Sequence, residues 1–511
     1  MILGDSDDTA ETSGPRSTLD DIFRQAAVRH PRAIALADPL DRARVTDGMP
    51  RRLSYAETDR LVSALATRLR GLGLQTDAVI AMQLPNTVES VIACLGVLRA
   101  GMIAAPLPLL WRRRDLVDAL GRVSAKAIVT CARAGNAAPA EVAMHTAAAL
   151  FPIRHICGFG QNLPDGIVPI DDVFALGGSD GSAMPARSDA AAHVAAVTFD
   201  VDARGLNPVA RNHIEIISGG LAVFLESGIT SDAHLLSTVP ISSFAGMALT
   251  LVPWLLSGGT LHLHHGFDPT IFAAQRGATE CNLLALPAPA VPALVDAGVL
   301  GNMPCTLAAL WRGPERASTT KSLDRATAIL DVSSFGETGF IAARRSEQGK
   351  PAPIPHGVIS APRGAIGAMT VVETACSNTG TLMLRGPMVP SAAFPPVEKG
   401  HATRISPDHS GYIDTGFTCR LDKQNQTLAV TVPPSGIVNV GGYRLRQSDV
   451  DACVEKAASA ANVIPLPDRM LGYRLAGAAQ DKDAVAATLD AQGVNALISG
   501  AFRRRGAADA A

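Results

Sequence analysis

Val-Thr-Phe-Asp-Val-Asp-Ala-Arg-Gly-Leu-Asn-Pro-Val-Ala-Arg-Asn-His, residues Val197 to His213, is the stretch on which the reading of this chain turns. It lies between an apolar strand, Ala195 to Phe199, and a helix signalled by Ile214, Ile216, Ile217, Leu221 and Phe224. Strand–loop–helix turns of this kind commonly cradle phosphate, because the N–H groups of the loop and helix start converge on an anion. Such a cradle needs several glycines for close backbone approach, and usually a lysine to meet the charge. Here there is one glycine, Gly205, no lysine, and two carboxylates, Asp200 and Asp202, that repel a phosphate.

Outward from that stretch, composition sets the class. The 511 residues exceed what one core holds, so two or more domains are expected. With 47% hydrophobic and 18% charged residues, the chain is globular and core-forming. A net charge of -2 gives no long-range attraction for nucleic acid or an anionic membrane. The runs Arg112-Arg113-Arg114 and Arg503-Arg504-Arg505 read as solvated faces. The 8 cysteines are scattered without a Cys-x-x-Cys pair, which suggests neither a disulfide framework nor a thiolate metal site and suits a cytoplasmic setting. No uninterrupted apolar run reaches membrane-spanning length, and residues 1–16 read as a mobile tail. The small-residue stretches Gly135–Ala149 and Gly177–Ala190 read as loops or linkers.

The remaining pattern alternates strand and helix. Ser54 and Glu57 stand at capping-box spacing, and Leu61, Leu65 and Leu69 repeat every four residues until Gly71 and Gly73. Asp77–Leu84, Met102–Leu107 and Ala127–Cys131 are apolar throughout, with helical patterns from Val88 to Leu95 and from Asp115 to Arg122 between them. Strands buried on both faces and alternating with helices predict a parallel sheet with helices on each side.

Residues in chain order then resemble the adenylate-forming superfamily of acyl-CoA synthetases, peptide-synthetase adenylation domains and luciferases. The matches are Leu53-Ser54-Tyr55, Gly71-Leu72-Gly73, Leu84-Pro85-Asn86, Leu98-Arg99-Ala100-Gly101, Pro240–Gly246, Gly258-Gly259, Phe335-Gly336-Glu337-Thr338, Arg385-Gly386-Pro387, Gly411–Gly416 and Val440-Gly441-Gly442-Tyr443. The resemblance implies an α/β fold, with a large N-terminal domain of doubly wound sheets plus a small β-barrel and a small, truncated α+β C-terminal domain. It divides the chain into a tail (1–16), an AMP-binding-like domain (17–432), a hinge at Pro433-Pro434-Ser435-Gly436 (433–436) and a short C-terminal domain (437–511). It implies activation of a carboxylate by ATP, then transfer to a thiol such as coenzyme A.

The family's signature residues are then sought one by one. Its phosphate-loop lysine falls on Val209 or Asn207, with Arg204 and Arg211 as the available cations. Its aromatic-Gly-x-Thr-Glu signature becomes Phe335-Gly336-Glu337-Thr338-Gly339, so the magnesium carboxylate is missing unless Glu337 supplies it. Phe417 stands where the ribose-binding Asp is expected, with Asp414 three residues earlier. Pro433 and Gly436 replace the hinge contacts, and no lysine follows Lys482. The resemblance assigns Gly313, Pro314, Phe335, Gly336 and Asp414 to a nucleotide site, Ser243, Phe244 and Met247 to an acyl pocket, and Gly441, Gly442 and Tyr443 to a coenzyme A tunnel. Thr338, Glu337 and Arg211 are the catalytic candidates. His262, His264 and His265 share no carboxylate or Cys at ligand spacing, so no metal site is assigned.

At about 1.5–3 kcal/mol for each hydrogen bond to a charged group, three lost contacts weaken nucleotide binding by about 4.5 kcal/mol or more, on the order of a thousandfold. The expectation is therefore a pseudoenzyme of the acyl-CoA synthetase kind that binds an acyl or CoA ligand, or a protein partner. The alternative is a working fatty- or aryl-acid–CoA ligase with rearranged contacts, using ATP, Mg2+ and CoA. A purely structural subunit needs only the fold.

Overall fold

The computed structural model describes residues 17–174, 187, 189–266, 268–300, 304–313, 327–362, 369–392, 394 and 405–503. The tail 1–16 and most of 177–190 lie outside the described residues.

Two largely parallel sheets carry the N-terminal part. One has seven strands in the order Val168–Pro169, His155–Phe159, Ala127–Cys131, Val79–Met82, Ile103–Pro106, Val194–Asp202 and Gly205–Asn212. The other has eight, running Phe340–Arg344, Thr327–Ser334, Cys305–Trp311, Leu283–Pro287, His234–Ser237, Thr260–Leu263, Ile34–Ala37 and Arg52–Ser54. Their central strands are buried along their whole length, which is why they read as unbroken apolar runs. Helices Tyr55–Gly71, Val88–Arg99, His213–Ser227 and Phe244–Ser257 contribute to one core together with strands of both sheets.

The first of these helices shows how local sequence sets an element boundary. The Ser54 hydroxyl accepts from Glu57 N, and the Glu57 carboxylate accepts from Ser54 N, so both donors are satisfied at the helix start. The Leu61, Leu65 and Leu69 face is buried. Behind it, Tyr55 Oη and Trp254 Nε1 both donate to the Gly259 carbonyl, and the rings of Phe23, Tyr55 and Trp254 pack with centroids about 6 Å apart.

A six-stranded antiparallel sheet follows, in the order Ile354–Pro355, Thr427–Val432, Ile413–Asp422, Thr381–Arg385, Thr370–Cys376, Gly357–Ser360. Its outer strands are neighbours in sequence, so the sheet curls toward a barrel. Beyond it, hairpins Ile437–Val440/Tyr443–Arg446 and Asn462–Asp468/Gly472–Ala478 and helices Gln447–Ala457, Lys482–Ala491 and Ala496–Gly500 surround a core of their own.

Two expectations are corrected. Residues Pro139–Ala149, expected as loop, form a helix. Proline in the first turn and a run of alanines favour one, and Ala140, Ala143 and Thr146 bury a single face. Residues 200–212, expected as a loop, continue as a β-hairpin instead.

Two tests follow from packing and charge. A Cβ on Gly246 would sit 2.0 Å from the Pro240 carbonyl oxygen, which is backbone and cannot swing away. Gly246→Ala is therefore expected to cost about 2–3 kcal/mol in urea unfolding, and a change below about 0.5 kcal/mol would contradict this packing. The partly buried His265 ring borders the cleft between the sheets and accepts the Asn86 N–H, and burial pulls its pKa down to about 4. A folded pKa below the unfolded value of about 6.5 means that the unfolded chain takes up the proton first, so this contribution is lost as pH falls from about 6.5 toward 4. Asp115, pushed up to about 6, opposes it. His265→Asn should thus lose less stability than the parent between pH 7 and 5, by about 1–2 kcal/mol, as read from denaturation midpoints.

Candidate active site

The site is built from the hairpin Val194–Asp202/Gly205–Asn212. Its register runs from Val194↔Asn212 to Asp202↔Gly205, with Asp200 opposite Asn207. The turn is Ala203-Arg204, where Asp202 Oδ1 accepts Arg204 N at 2.8 Å and Gly205 adopts φ +125°. Strand residues 197–202 alternate apolar and polar, a period-two pattern that favours ladder pairing over an open loop. No ring of converging amides forms at this bend, and Asp200 and Asp202 are each only 5% exposed.

Arg211 is fully buried and faces the protein interior. Its Nη1 donates to Met388 O at 2.5 Å, and its Nη2 donates to Glu337 O and to Thr338 O, the latter at 3.2 Å. The guanidinium lies 3.8 Å from the Phe244 ring centroid. Burial pulls its pKa down to about 10. Its cation ties the hairpin to the turn at 335–339 and is not presented to a phosphate. Arg204 lies on the turn, 3.4 Å from Asp202.

In that turn, Phe335 N donates to Gly339 O and Thr338 N to Phe335 O. Gly336 is left-handed at φ +64°, and a Cβ there would come within 2.3 Å of Asp200 Oδ2 and 2.4 Å of Arg444 Nη1. Only glycine leaves room for that ion pair, in which Arg444 Nη1 donates to Asp200 Oδ1 at 2.6 Å. Glu337 N donates to Asp200 Oδ2 at 3.2 Å. Arg444 also lies 5.1 Å from the Phe417 ring, and its Nη2 is buried without a partner.

The Glu337 side chain runs to the start of helix Phe244–Ser257, where Oε2 accepts Phe244 N at 2.7 Å. Burial raises its pKa against that hydrogen bond, and the Asp200 charge raises it further. Ser243 is the N-cap of the same helix: its Oγ accepts Gly246 N and receives Arg312 Nη2 at 3.0 Å. Glu337 thus serves a helix terminus, where a carboxylate is favoured by the unpaired N–H groups. Among the described residues no group of three His, Cys, Asp or Glu is placed to hold a metal ion.

The other assigned residues fall into three places. Phe335 meets Phe417 edge to face at 5.3 Å, with Phe417 fully buried, and Asp414 Oδ1 accepts Gly416 N at 2.7 Å to close a turn. Phe244 and Met247 are 1% exposed; Phe244 packs between Arg211 and the Phe340 ring instead of lining an open acyl pocket. The helix they begin is apolar on all sides, so its first turn is drawn into the core. Gly313 faces Asn439, whose Nδ2 donates to Arg312 O at 3.0 Å, while Pro314 lies outside the described residues.

Gly441 and Gly442, at φ +54° and +84°, form the two-residue turn of hairpin Ile437–Val440/Tyr443–Arg446, where positive φ at both positions matches the twist of the strands. The turn rests on Arg312 and carries Tyr443 into a cleft of about 60 Å³ between the two sheets. Asn86, which the sequence motif contains but to which no role was given, borders that cleft. Its Nδ2 donates to Ser237 O and His264 O, and its buried Oδ1 has no partner. Arg312 and Arg444, likewise without sequence-assigned roles, become visible only once the two bodies are brought together.

A triphosphate with magnesium does not fit these residues. The bend offers carboxylates where amides are needed, its buried arginine faces away, and Glu337 already holds a helix start.

The comparisons agree with this architecture. The AMP-binding enzyme family model matches residues 23–161. The chain is 25% identical over 449 residues, 83% of its length and 82% of the relative's, to the 3-[(3aS,4S,7aS)-7a-methyl-1,5-dioxo-octahydro-1H-inden-4-yl]propanoyl:CoA ligase of Mycobacterium tuberculosis. It is 23% identical over 486 residues, 90% of its length and 80% of the relative's, to the medium-chain fatty-acid–CoA ligase of Escherichia coli. In fold it is similar to the o-succinylbenzoate CoA synthetase of Bacillus subtilis, with a TM-score of 0.70 at 13% identity, covering 94% of this chain and 93% of that one. With the AMP-binding model matched over residues 23–161 and CoA ligases matched over most of its length, the chain is similar to the adenylate-forming superfamily and shares its fold.

Proposed function

We propose that this chain is an acyl-CoA ligase-like pseudoenzyme: it has lost ATP-dependent activation of a carboxylate and keeps a cleft for an acyl-CoA-type ligand. The observation that carries this reading is the buried Asp200–Arg444 pair, seated on Glu337 N at the bend where a phosphate cradle would lie. Arg444 is neutralised by Asp200, so the pair presents no net positive charge to a phosphate. No lysine of the bend supplies one.

The ligand side rests on the cleft at Tyr443 and on the relatives, which are named as CoA ligases. Asn86 Oδ1 is a buried acceptor without a donor, and an amide N–H such as those of a pantetheine arm satisfies it. At about 60 Å³ the cleft admits such an arm only when Tyr443 withdraws, so binding is coupled to movement of the 437–446 hairpin.

Two measurements test this reading. ATP–pyrophosphate exchange with fatty and aryl acids should stay at background, and thermal shift should show stabilisation by acyl-CoA but not by ATP with magnesium. Exchange above background, or a response to micromolar ATP, overturns the pseudoenzyme; stabilisation by neither ligand, with a protein co-purifying, points to a partner-binding role instead. Asp200→Asn removes the charge that holds Arg444. Hydrogen exchange of the Ile437–Arg446 amides should then speed up by about tenfold or more, the equivalent of about 1.5–3 kcal/mol. Unchanged exchange would show that the pair does not hold the hairpin.

A further inference from the structure

A cavity of about 350 Å³, which shares only Leu84 and Pro85 with the Tyr443 cleft, is lined by no residue of the Glu337 site. Its position follows from topology. The chain passes from strand Val79–Met82 to Ile103–Pro106 on one side, then crosses to Ala127–Cys131 on the other. Successive connections therefore leave in opposite directions at the carboxyl ends of Val79–Met82 and Ala127–Cys131, and a crevice opens between them. Leu84, Thr87, Cys131 and Phe159 line it. Residues 38–51, the connection between the paired strands Ile34–Ala37 and Arg52–Ser54, form another wall. That connection is far longer than the roughly two to five residues a hairpin needs, and long ordered loops of this kind commonly serve binding.

The charges around the crevice are sorted with one left over. Arg42 is 3% exposed; it donates to Asp38 and to both oxygens of Glu89, and its remaining donors reach Asp47 O. Arg51 pairs with Glu89, and Arg133 Nε reaches Asp47 at 3.3 Å. Asp171 makes no ion pair among the described residues. It is half-buried, its Oδ2 accepts Gly160 N at 2.7 Å, and partial burial holds its pKa above the ordinary carboxylate value against the pull of Arg51 and Arg42. In the same cavity lining, the hydroxyl of Thr87, a residue 1% exposed, lies toward Glu89 without a hydrogen bond of proper geometry, although Thr87 is the N-cap of helix Val88–Arg99. A half-buried carboxylate without an ion pair of its own and a buried hydroxyl short of a partner, in one cavity of ligand size, describe a site with capacity for a ligand.

We propose that this crevice binds a small organic cation, a primary amine with a short carbon chain. The ammonium group lies against Asp171 and within reach of the Thr87 hydroxyl, and the chain runs along Leu84 and Phe159. An anion is disfavoured because the Arg42 guanidinium is already committed to two carboxylates and a carbonyl.

Isothermal titration of the full chain with putrescine, 1,4-butanediol and succinate tests this on the unmodified protein. Putrescine should bind saturably at one site per chain and the diol and the diacid at least about tenfold more weakly. Equal binding of the diol, preference for succinate, or no binding of putrescine overturns the proposal. Asp171→Asn, which keeps the acceptor for Gly160 N, should lose putrescine binding by about tenfold or more, whereas Asp172→Asn on the exposed neighbour should bind as the parent does. A loss shared by both variants would indicate mere surface attraction, and full retention by Asp171→Asn would remove the site; either result overturns it.

Discussion

A buried carboxylate must be paired, and in this protein the pairing of Asp200 organises everything around the inter-sheet cleft. Its two oxygens take Arg444 Nη1 and Glu337 N, and each of those groups belongs to a different part of the chain. Desolvating a carboxylate without such partners costs several kcal/mol. The hairpin that carries Asp200, the turn that carries Glu337 and the C-terminal hairpin that carries Arg444 are therefore held in one arrangement. Gly336 is needed because the ion pair passes where its Cβ would be.

The same arrangement underlies the pseudoenzyme proposal. In an adenylate-forming site, charge neutralisation falls to groups left free to meet an incoming polyanion. Here each candidate group already has an internal partner. Arg211 is spent on three carbonyls, Glu337 on the start of an apolar helix, and Arg312 on the helix cap Ser243. These contacts stabilise the fold and tie the named groups to the protein's own carbonyls, helix start and helix cap.

The crevice beneath residues 38–51 is the opposite case. It lies at a point where strand order reverses, a place that parallel sheets leave open for geometric reasons, and its polar groups are not all spoken for. Thr87 keeps a buried hydroxyl without a partner and Asp171 makes no ion pair among the described residues, whereas both oxygens of Asp200 are engaged within the protein.

Much of this was legible in the residues themselves. The capping pair Ser54 and Glu57, the four-residue leucine spacing after it, and the all-apolar strands depend on local propensity and on a burial period, which sequence displays directly. The Ala-rich helix Pro139–Ala149 was misread because alanine supplies propensity without an apolar stripe for periodicity to reveal. The hairpin at 194–212 was also written in its alternation, and was missed because the surrounding motifs argued for a loop. Sequence alone showed that the stretch Val197–His213 contains no lysine and that Phe417 follows Gly416, since the identity of a side chain needs no coordinates. Only the tertiary structure decided where Arg211, Glu337 and Phe244 point, and that Asp200 meets Arg444 across 244 positions of chain. Those choices depend on which buried charges come within hydrogen-bonding distance, a matter of packing between distant segments that no local pattern encodes.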